Sequence, residues 1–217
     1  MSNPVLVIGN KAYSSWSLRP WLLMRQAGIG FDEIRVSLYE SGAKQKILQY
    51  SAAGKVPVLQ DDNLTVWDSL AICEYLAEKH PKKQLWPPEA AARAHARSVS
   101  AEMHSGFTNV RSQMPMNVRR EIPGRANTPE VAAELARIEA IWNDCRGRHG
   151  AHGRFLFGAF SIADAMYAPV VSRLRTYGVA FDGAAGQYAS VIHELPAMQE
   201  WIAGAHAETE VNPQYES

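Results

Sequence analysis

The chain has 217 residues and few of the features of disulfide-rich, metal-binding or membrane proteins. Its two cysteines, Cys73 and Cys145, are far apart and form no CxxC pair, which argues against a disulfide framework, a zinc site and a thioredoxin-type redox pair. The opening MSNPVLVIGN lacks a charged segment and a long apolar segment, and no later run has the length of a membrane span. We therefore expect a cytoplasmic protein with no metal and no membrane partner.

An excess of charge of either sign is also missing. Lys and Arg together number 22, as do Asp and Glu, so the formal net charge is zero. No overall field then favours nucleic acid, and we expect no nucleic-acid partner. Hydrophobic residues make up 47% of the chain, which is enough for a sizeable core.

Strand and helix patterns divide the chain into two parts. The apolar run 5–8 predicts a buried strand, residues 20–26 a helix, and the alternation over 31–37 a second strand parallel to the first. A weak helix is predicted at 44–49. After the Trp-Pro-Pro step at 86–88 the spacing is helical, with little strand. The pattern predicts an α/β domain over residues 1–81 and an all-α domain over 89–217, whose first helix runs over 89–113.

Residues 54–80 are the most informative segment. Pro57 cannot donate to a sheet, so it marks the start or the edge of a strand. A polar turn at 61–63 predicts a hairpin, and Asp68-Ser69 stands where a helix begins. A carboxylate and a hydroxyl at a helix start can cap backbone amides or bind a ligand. The segment alone also fits a hairpin and a capped helix in another α/β protein.

This layout resembles the glutathione transferases, and the resemblance extends over nearly the whole chain. It implies a thioredoxin-like N-terminal domain, an all-α C-terminal domain, a homodimer and glutathione as co-substrate. It also implies that the Val56-Pro57 bond is cis, that the Val56 backbone contacts the cysteinyl part of glutathione, and that Asp68 and Ser69 hold its γ-glutamyl end. Two lysines, Lys55 and Lys44, are candidates for its glycyl carboxylate; Lys44 can equally be a solvated surface residue.

The segment between the first strand and the first helix carries the candidate catalytic hydroxyls. A free thiol near pKa 8.5 is mostly protonated at neutral pH, and a hydroxyl at a helix N-terminus stabilises its thiolate. The string 14–19, SSWSLR, resembles the SSCxxR string of zeta-class glutathione transferases, which implies Ser14 as this hydroxyl. Theta-class strings would select Ser15. Both serines can instead simply cap the helix.

Trp16 departs from the zeta-class pattern. It occupies the place of the cysteine that is linked to the isomerase activity of that class, which puts maleylacetoacetate isomerase activity in doubt. The same departure argues against cysteine-type thioltransferases.

A second substrate is expected between the domains. Met103, Phe107 and Arg111 recur four apart, and such a stripe is more often part of a core than of a pocket. Burying His104 and Arg111 without partners is costly, which favours a pocket. Arg111 would bind an anionic substrate and His104 would donate a proton. The candidate pocket residues are Trp16, Met103, His104, Phe107, Arg111, Met114 and Met116.

The predicted function is conjugation of the glutathione thiolate to a small electrophile. Two alternatives remain: a glutathione-dependent isomerase or peroxidase on the same scaffold, and a non-catalytic binding protein. In the helical half, Ser161 and Asp164 predict a cap that opens a broadly apolar, central helix.

Overall fold

The computed structural model describes residues 3–216. Its N-terminal half is a mixed four-stranded sheet with helices. The elements in chain order are β1 Val5–Ile8, α1 Ser15–Gln26, β2 Asp32–Arg35, α2 Ala43–Leu48, β3 Val58–Asp61, β4 Leu64–Trp67 and α3 Ser69–Lys79.

The strand order of the sheet is β2-β1-β3-β4. Strand β2 runs parallel to β1, whereas β3 pairs with β1 and with β4 in antiparallel fashion. Parallel pairing of β1 and β2 follows from the helix that connects them, since such crossovers require a long connection. The thioredoxin-like prediction is confirmed.

The second half is helical. Its helices are α4 Ala90–Ser105, α5 Thr108–Gln113, α6 Pro129–His149, α7 Ile162–Thr176, α8 Gly183–Glu194 and α9 Pro196–Ala207. Short 3-10 turns lie at Pro81–Lys83, Gly150–His152 and Pro213–Tyr215. None of the helices in residues 3–216 is both long and apolar enough to cross a membrane.

Two predicted helix boundaries were wrong. The helix predicted over 89–113 breaks at Gly106 and Phe107, because Phe107 has a left-handed backbone (φ +54°). The break also needs glycine: a Cβ on Gly106 would lie 2.8 Å from the Glu102 carbonyl oxygen. Helix α1 begins at Ser15 rather than Pro20, because Ser14 caps it there, and the helix continues through Pro20.

Helix α7 is the centre of the molecule. Nearly all its residues are buried, and it packs against α1, α4 and α8. Its predicted cap forms: Asp164 Oδ2 accepts from Ser161 N (2.8 Å) and Ser161 Oγ (2.9 Å), and Oδ1 accepts from Leu156 N (3.0 Å). Burial outweighs these hydrogen bonds and raises the pKa of Asp164 to about 6.

Both cysteines are buried in the hydrophobic core. Burial raises the pKa of the Cys73 thiol far above its ordinary value and that of Cys145 to about 12. Neither thiol carries the low pKa that a reactive cysteine needs.

Candidate active site

A cleft lies between the sheet and the helical half. It consists of two adjacent cavities of about 570 and 550 Å³, sizes typical of small-ligand sites. Both are lined by Trp16, Lys55, Val56 and Arg111. The cleft is therefore lined by residues from the β1–α1 connection, the segment before β3, the start of α3, and α5 and α7.

The two candidate serines have different hydrogen bonds. Ser14 Oγ accepts from Ser17 N (3.4 Å) and donates to Ser17 Oγ (2.8 Å), so it caps α1. Ser15 Oγ accepts from Arg173 Nη2 (3.2 Å). Because Ser15 uses its oxygen in this way, its hydroxyl proton remains free for a ligand. Both serines line the larger cavity.

Arg173, on α7, contacts Ser15 of α1. The sequence did not identify it as a site residue. Its side chain is buried, its Nε donates to the Met114 carbonyl oxygen (2.8 Å), and its Nη1 is buried without a partner among residues 3–216. Burial, and then the charge of Arg111, lower its pKa to about 10, so it stays charged at neutral pH. Burying an arginine inside an apolar helix is costly. Its presence in the apolar α7 sequence was the one signal that could have identified Arg173 as functional.

Two further arginines flank Trp16. The guanidinium carbon of Arg19 lies 4.1 Å from the centre of the indole ring, and that of Arg111 lies 4.8 Å from it. Arg19 is buried, and burial followed by the charges of Arg173 and Arg111 lowers its pKa to about 9. Arg111 therefore lines the cleft beside an indole ring that also contacts the buried Arg19, and Arg111 and Arg173 together make one wall of the cleft positive.

Asp68 and Ser69 lie at the start of α3 and line the smaller cavity. Asp68 has a positive φ (+75°), and its Oδ1 accepts from Leu70 N (2.9 Å) and Ala71 N (3.2 Å). Its Oδ2 lies 2.7 Å from His104 Nε2. The Ser69 hydroxyl is buried without a partner in the described residues.

The segment before β3 lines both cavities. The Val56-Pro57 peptide bond is cis, as predicted. Val56 lies outside the pairing register of the sheet, and its amide and carbonyl enter no turn or loop hydrogen bond within residues 3–216. Lys55 is exposed and lines both cavities, whereas Lys44 is exposed on α2 and lines neither.

Of the predicted stripe Met103, Phe107 and Arg111, Arg111 alone lines the cleft. Met103, within α4, and Phe107, beyond the break at Gly106, both lie in the hydrophobic core and line neither cavity. His104 lies beside Trp16, with ring centres 5.3 Å apart. Arg111 donates to the carbonyl oxygens of His104 (2.9 Å) and Gly106 (3.2 Å). Met114 is also in the core, while Met116 lines the larger cavity.

Three tyrosines that the sequence analysis missed also line the larger cavity: Tyr13, Tyr39 and Tyr215. The Tyr13 hydroxyl accepts from Arg119 Nη2 (2.6 Å) and Asn212 N (3.1 Å) and donates to Glu216 Oε1 (2.5 Å). Residues 208–216 therefore pack back onto the N-terminal half and complete one wall of the cleft.

A thioredoxin-like domain, a helical domain and a cleft between them define the fold class. A crystal structure of a glutathione transferase homologue from Burkholderia, with bound glutathione, has this fold: the TM-score is 0.67 at 24% identity, covering 95% of this chain and all of that one. Models of the glutathione S-transferase N-terminal and C-terminal domains match residues 13–79 and 125–204.

Several relatives carry the name maleylacetoacetate isomerase. The protein from Mus musculus is 31% identical over 184 residues, which cover 81% of this chain and 80% of the relative. A probable isomerase from Caenorhabditis elegans is 37% identical over 109 residues, 49% of this chain and 50% of the relative. The chain belongs to the glutathione S-transferase family.

Proposed function

We propose that this chain is a glutathione transferase that joins the glutathione thiolate to a small electrophile carrying an anionic group. The observation that supports this most directly is the hydrogen bond from the buried Arg173 guanidinium to the Ser15 hydroxyl, at the first turn of α1. A hydroxyl with a free proton, a helix N-terminus and a nearby cation all favour a thiolate over a thiol.

Glutathione would lie along the wall shared by the two cavities. Its γ-glutamyl ammonium would pair with Asp68, its γ-glutamyl carboxylate would accept from the unpartnered Ser69 hydroxyl, and its cysteinyl backbone would pair with that of Val56. The exposed Lys55 is the nearest candidate for the glycyl carboxylate. Lys44 is a weaker candidate because it lies outside both cavities.

Ser15 would be the principal hydroxyl donor to the thiolate. Sequence reasoning favoured Ser14, but Ser14 donates to Ser17 Oγ and caps α1, whereas Ser15 has its proton free. The thiol loses its proton to solvent, and the resulting thiolate attacks the electrophilic carbon. A new carbon–sulfur bond forms, and in a displacement reaction the leaving group departs with its electron pair.

The electrophile would bind against the positive wall. Arg111 and Arg173 both line the larger cavity, and Arg173 keeps one nitrogen without a partner in the described residues. Guanidinium groups bind carboxylates through paired hydrogen bonds, so an electrophile with a carboxylate would be preferred over a neutral one.

A second candidate function is glutathione-dependent isomerisation. It is favoured by the relatives named maleylacetoacetate isomerase and by the same positive wall, which suits a carboxylate-bearing substrate. In such a reaction the thiolate adds to a double bond and leaves again after rotation, so glutathione is not consumed. Trp16, at the zeta-class cysteine position, argues for conjugation.

One assay separates these functions. The chain is incubated with glutathione and either 1-chloro-2,4-dinitrobenzene or the anionic 4-chloro-3-nitrobenzoate, and thioether formation is followed by absorbance. We expect turnover with both and a lower KM for the anionic halide, a preference that Arg111→Ala removes. Isomerisation of maleylacetone without conjugation would favour the second candidate. Retention on immobilised glutathione without any turnover would indicate a binding protein.

We also propose a homodimer. Leu64 and Trp67 on β4 are among the exposed large hydrophobic side chains, and Trp67 borders the smaller cavity. Strand β4 is an edge strand of the sheet, and exposed apolar side chains at such an edge suit a subunit contact. Light scattering coupled to gel filtration should give twice the chain mass of 24.0 kDa, and Leu64→Glu should lower it.

A further inference from the structure

A separate cavity of about 260 Å³ lies between the segment 118–121 and helices α7, α8 and α9. We call it the rear pocket; its polar lining includes Arg119, Arg120, Ser172, Arg175, His193 and His206. It shares no lining residue with the two active-site cavities. On α7, Ser172 lines the rear pocket and the next residue, Arg173, lines the cleft, so the two sites lie on different sides of this helix.

The rear pocket concentrates positive charge in a chain whose formal net charge is zero. Three arginines line it, against one lining carboxylate, that of Glu121. Two histidines add ring nitrogens; burial and then the charge of Arg175 lower the pKa of His193, so its imidazole is neutral at pH 7. Glu216 pairs with Arg119 (3.8 Å) and Arg120 (3.5 Å) and offsets part of their charge. The Arg175 guanidinium has no ion pair or hydrogen bond within residues 3–216. A concave site with such an excess attracts anions.

Two buried polar atoms of the pocket residues also lack partners in the described part of the chain: Ser172 Oγ and His193 Nδ1. Ser172 is only 6% exposed. Buried polar groups in native proteins nearly always have a hydrogen-bond partner, and leaving one without is costly. A ligand oxygen in the pocket would give the Ser172 hydroxyl an acceptor, because that hydroxyl can rotate to donate.

The size and the donors of the pocket limit the ligand. Its volume lies below the usual range for drug-sized ligands, so it suits one small group. Its donors come from several sides: Arg120 from the segment 118–121, Ser172 and Arg175 from α7, and His193 from α8. A carboxylate offers two oxygens in one plane, whereas a phosphate group directs three or four oxygens to different sides. We propose that the rear pocket binds a phosphate group, either as inorganic phosphate or as the phosphate of a small monoester.

Calorimetric titration of the full chain with inorganic phosphate tests the site. We expect one binding site, with affinity reduced about tenfold or more by Arg175→Ala and measurably by Ser172→Ala. Both variants alter groups without partners in residues 3–216, so their melting temperatures in phosphate-free buffer should match the parent. Arg137→Ala, at a surface arginine paired with Glu102 outside the pocket, is the matched control.

The alternatives give different results. If Arg111→Ala weakens phosphate binding and Arg175→Ala does not, the anion binds in the active-site cleft and the proposal fails. Absence of binding heat, confirmed by unchanged phosphorus NMR shifts of the phosphate, also overturns it. Tighter binding of glycerol 3-phosphate than of phosphate supports a monoester ligand, and the reverse supports the free ion. Acetate binding as tightly as phosphate would refute a phosphate-selective site.

Discussion

The imidazole of His104 lies 2.7 Å, Nε2 to Oδ2, from the carboxylate of Asp68. His104 comes from α4 of the helical domain, and Asp68 from the start of α3 in the thioredoxin-like domain. The other oxygen of Asp68 already accepts two backbone amides of α3. The oxygen that would pair with the γ-glutamyl ammonium of glutathione is therefore the one that faces His104.

This pairing predicts that removal of His104 strengthens glutathione binding. A hydrogen bond of this kind contributes about 0.5–1.5 kcal/mol, so His104→Ala should lower the Kd for glutathione by about twofold to tenfold. Fluorescence titration would measure it, with His152→Ala, at an exposed histidine outside the cleft, as control. A higher Kd in the His104 variant would show instead that the imidazole helps to bind glutathione.

Substitution of Ser14 and of Ser15 should have different effects on the stability of the bound thiolate. Ser15→Ala should raise the pKa of bound glutathione, with a loss of about 1–3 kcal/mol, because it removes a charge-assisted hydrogen bond. Ser14→Ala should mainly destabilise α1, at about 0.5–2 kcal/mol for a lost cap. Thiolate absorbance against pH and urea unfolding give the two quantities. The reverse pattern would assign the thiolate to Ser14.

Local signals in the sequence were sufficient for much of the fold. The apolar run Val5–Ile8, the turn before β4 and the caps at Asp68 and Asp164 each act within a few residues, so a single sequence contains them. Helical spacing did not reveal the break after α4, because that break depends on the left-handed backbone of Phe107.

The long-range contacts at the site could not be predicted from local signals in the sequence. Arg173 is 158 positions from Ser15, and Tyr215 reaches the cleft only because residues 208–216 fold back across the N-terminal half. Neither contact leaves a periodic pattern. Only the cost of burying an arginine in an apolar helix marked Arg173 as unusual.

The buried carboxyl of Asp164 should make stability fall as pH rises. Its pKa is about 6 in the folded chain, against an ordinary value of 3.8, so between these pH values the folded state holds a proton that the unfolded state has released. Relative to Asp164→Asn, which cannot titrate, the parent should lose about 2–3 kcal/mol of unfolding free energy from pH 4 to 6.5.

Urea unfolding at several pH values measures this difference, with Asp182→Asn, at the exposed start of α8, as control. The sign of the change in stability with pH, parent relative to Asp164→Asn, tests the prediction. A parent that instead gains stability over the variant as pH rises would mean that the hydrogen bonds from Leu156 and Ser161 outweigh burial and keep Asp164 ionised.

The last prediction concerns Tyr13, whose hydroxyl joins Arg119, Asn212 and Glu216. Tyr13→Phe keeps the ring in the cleft wall but leaves the Arg119 guanidinium without one acceptor. We expect a loss of about 1–3 kcal/mol in unfolding free energy and faster proteolysis within 208–216. Urea unfolding and mass spectrometry of the digests measure the two effects, with Tyr50→Phe as control.

Since Ser15 is proposed to stabilise the thiolate, the pKa of bound glutathione should not change in Tyr13→Phe. A raised glutathione pKa with an intact terminal segment would make the Tyr13 hydroxyl the thiolate donor and overturn the assignment to Ser15.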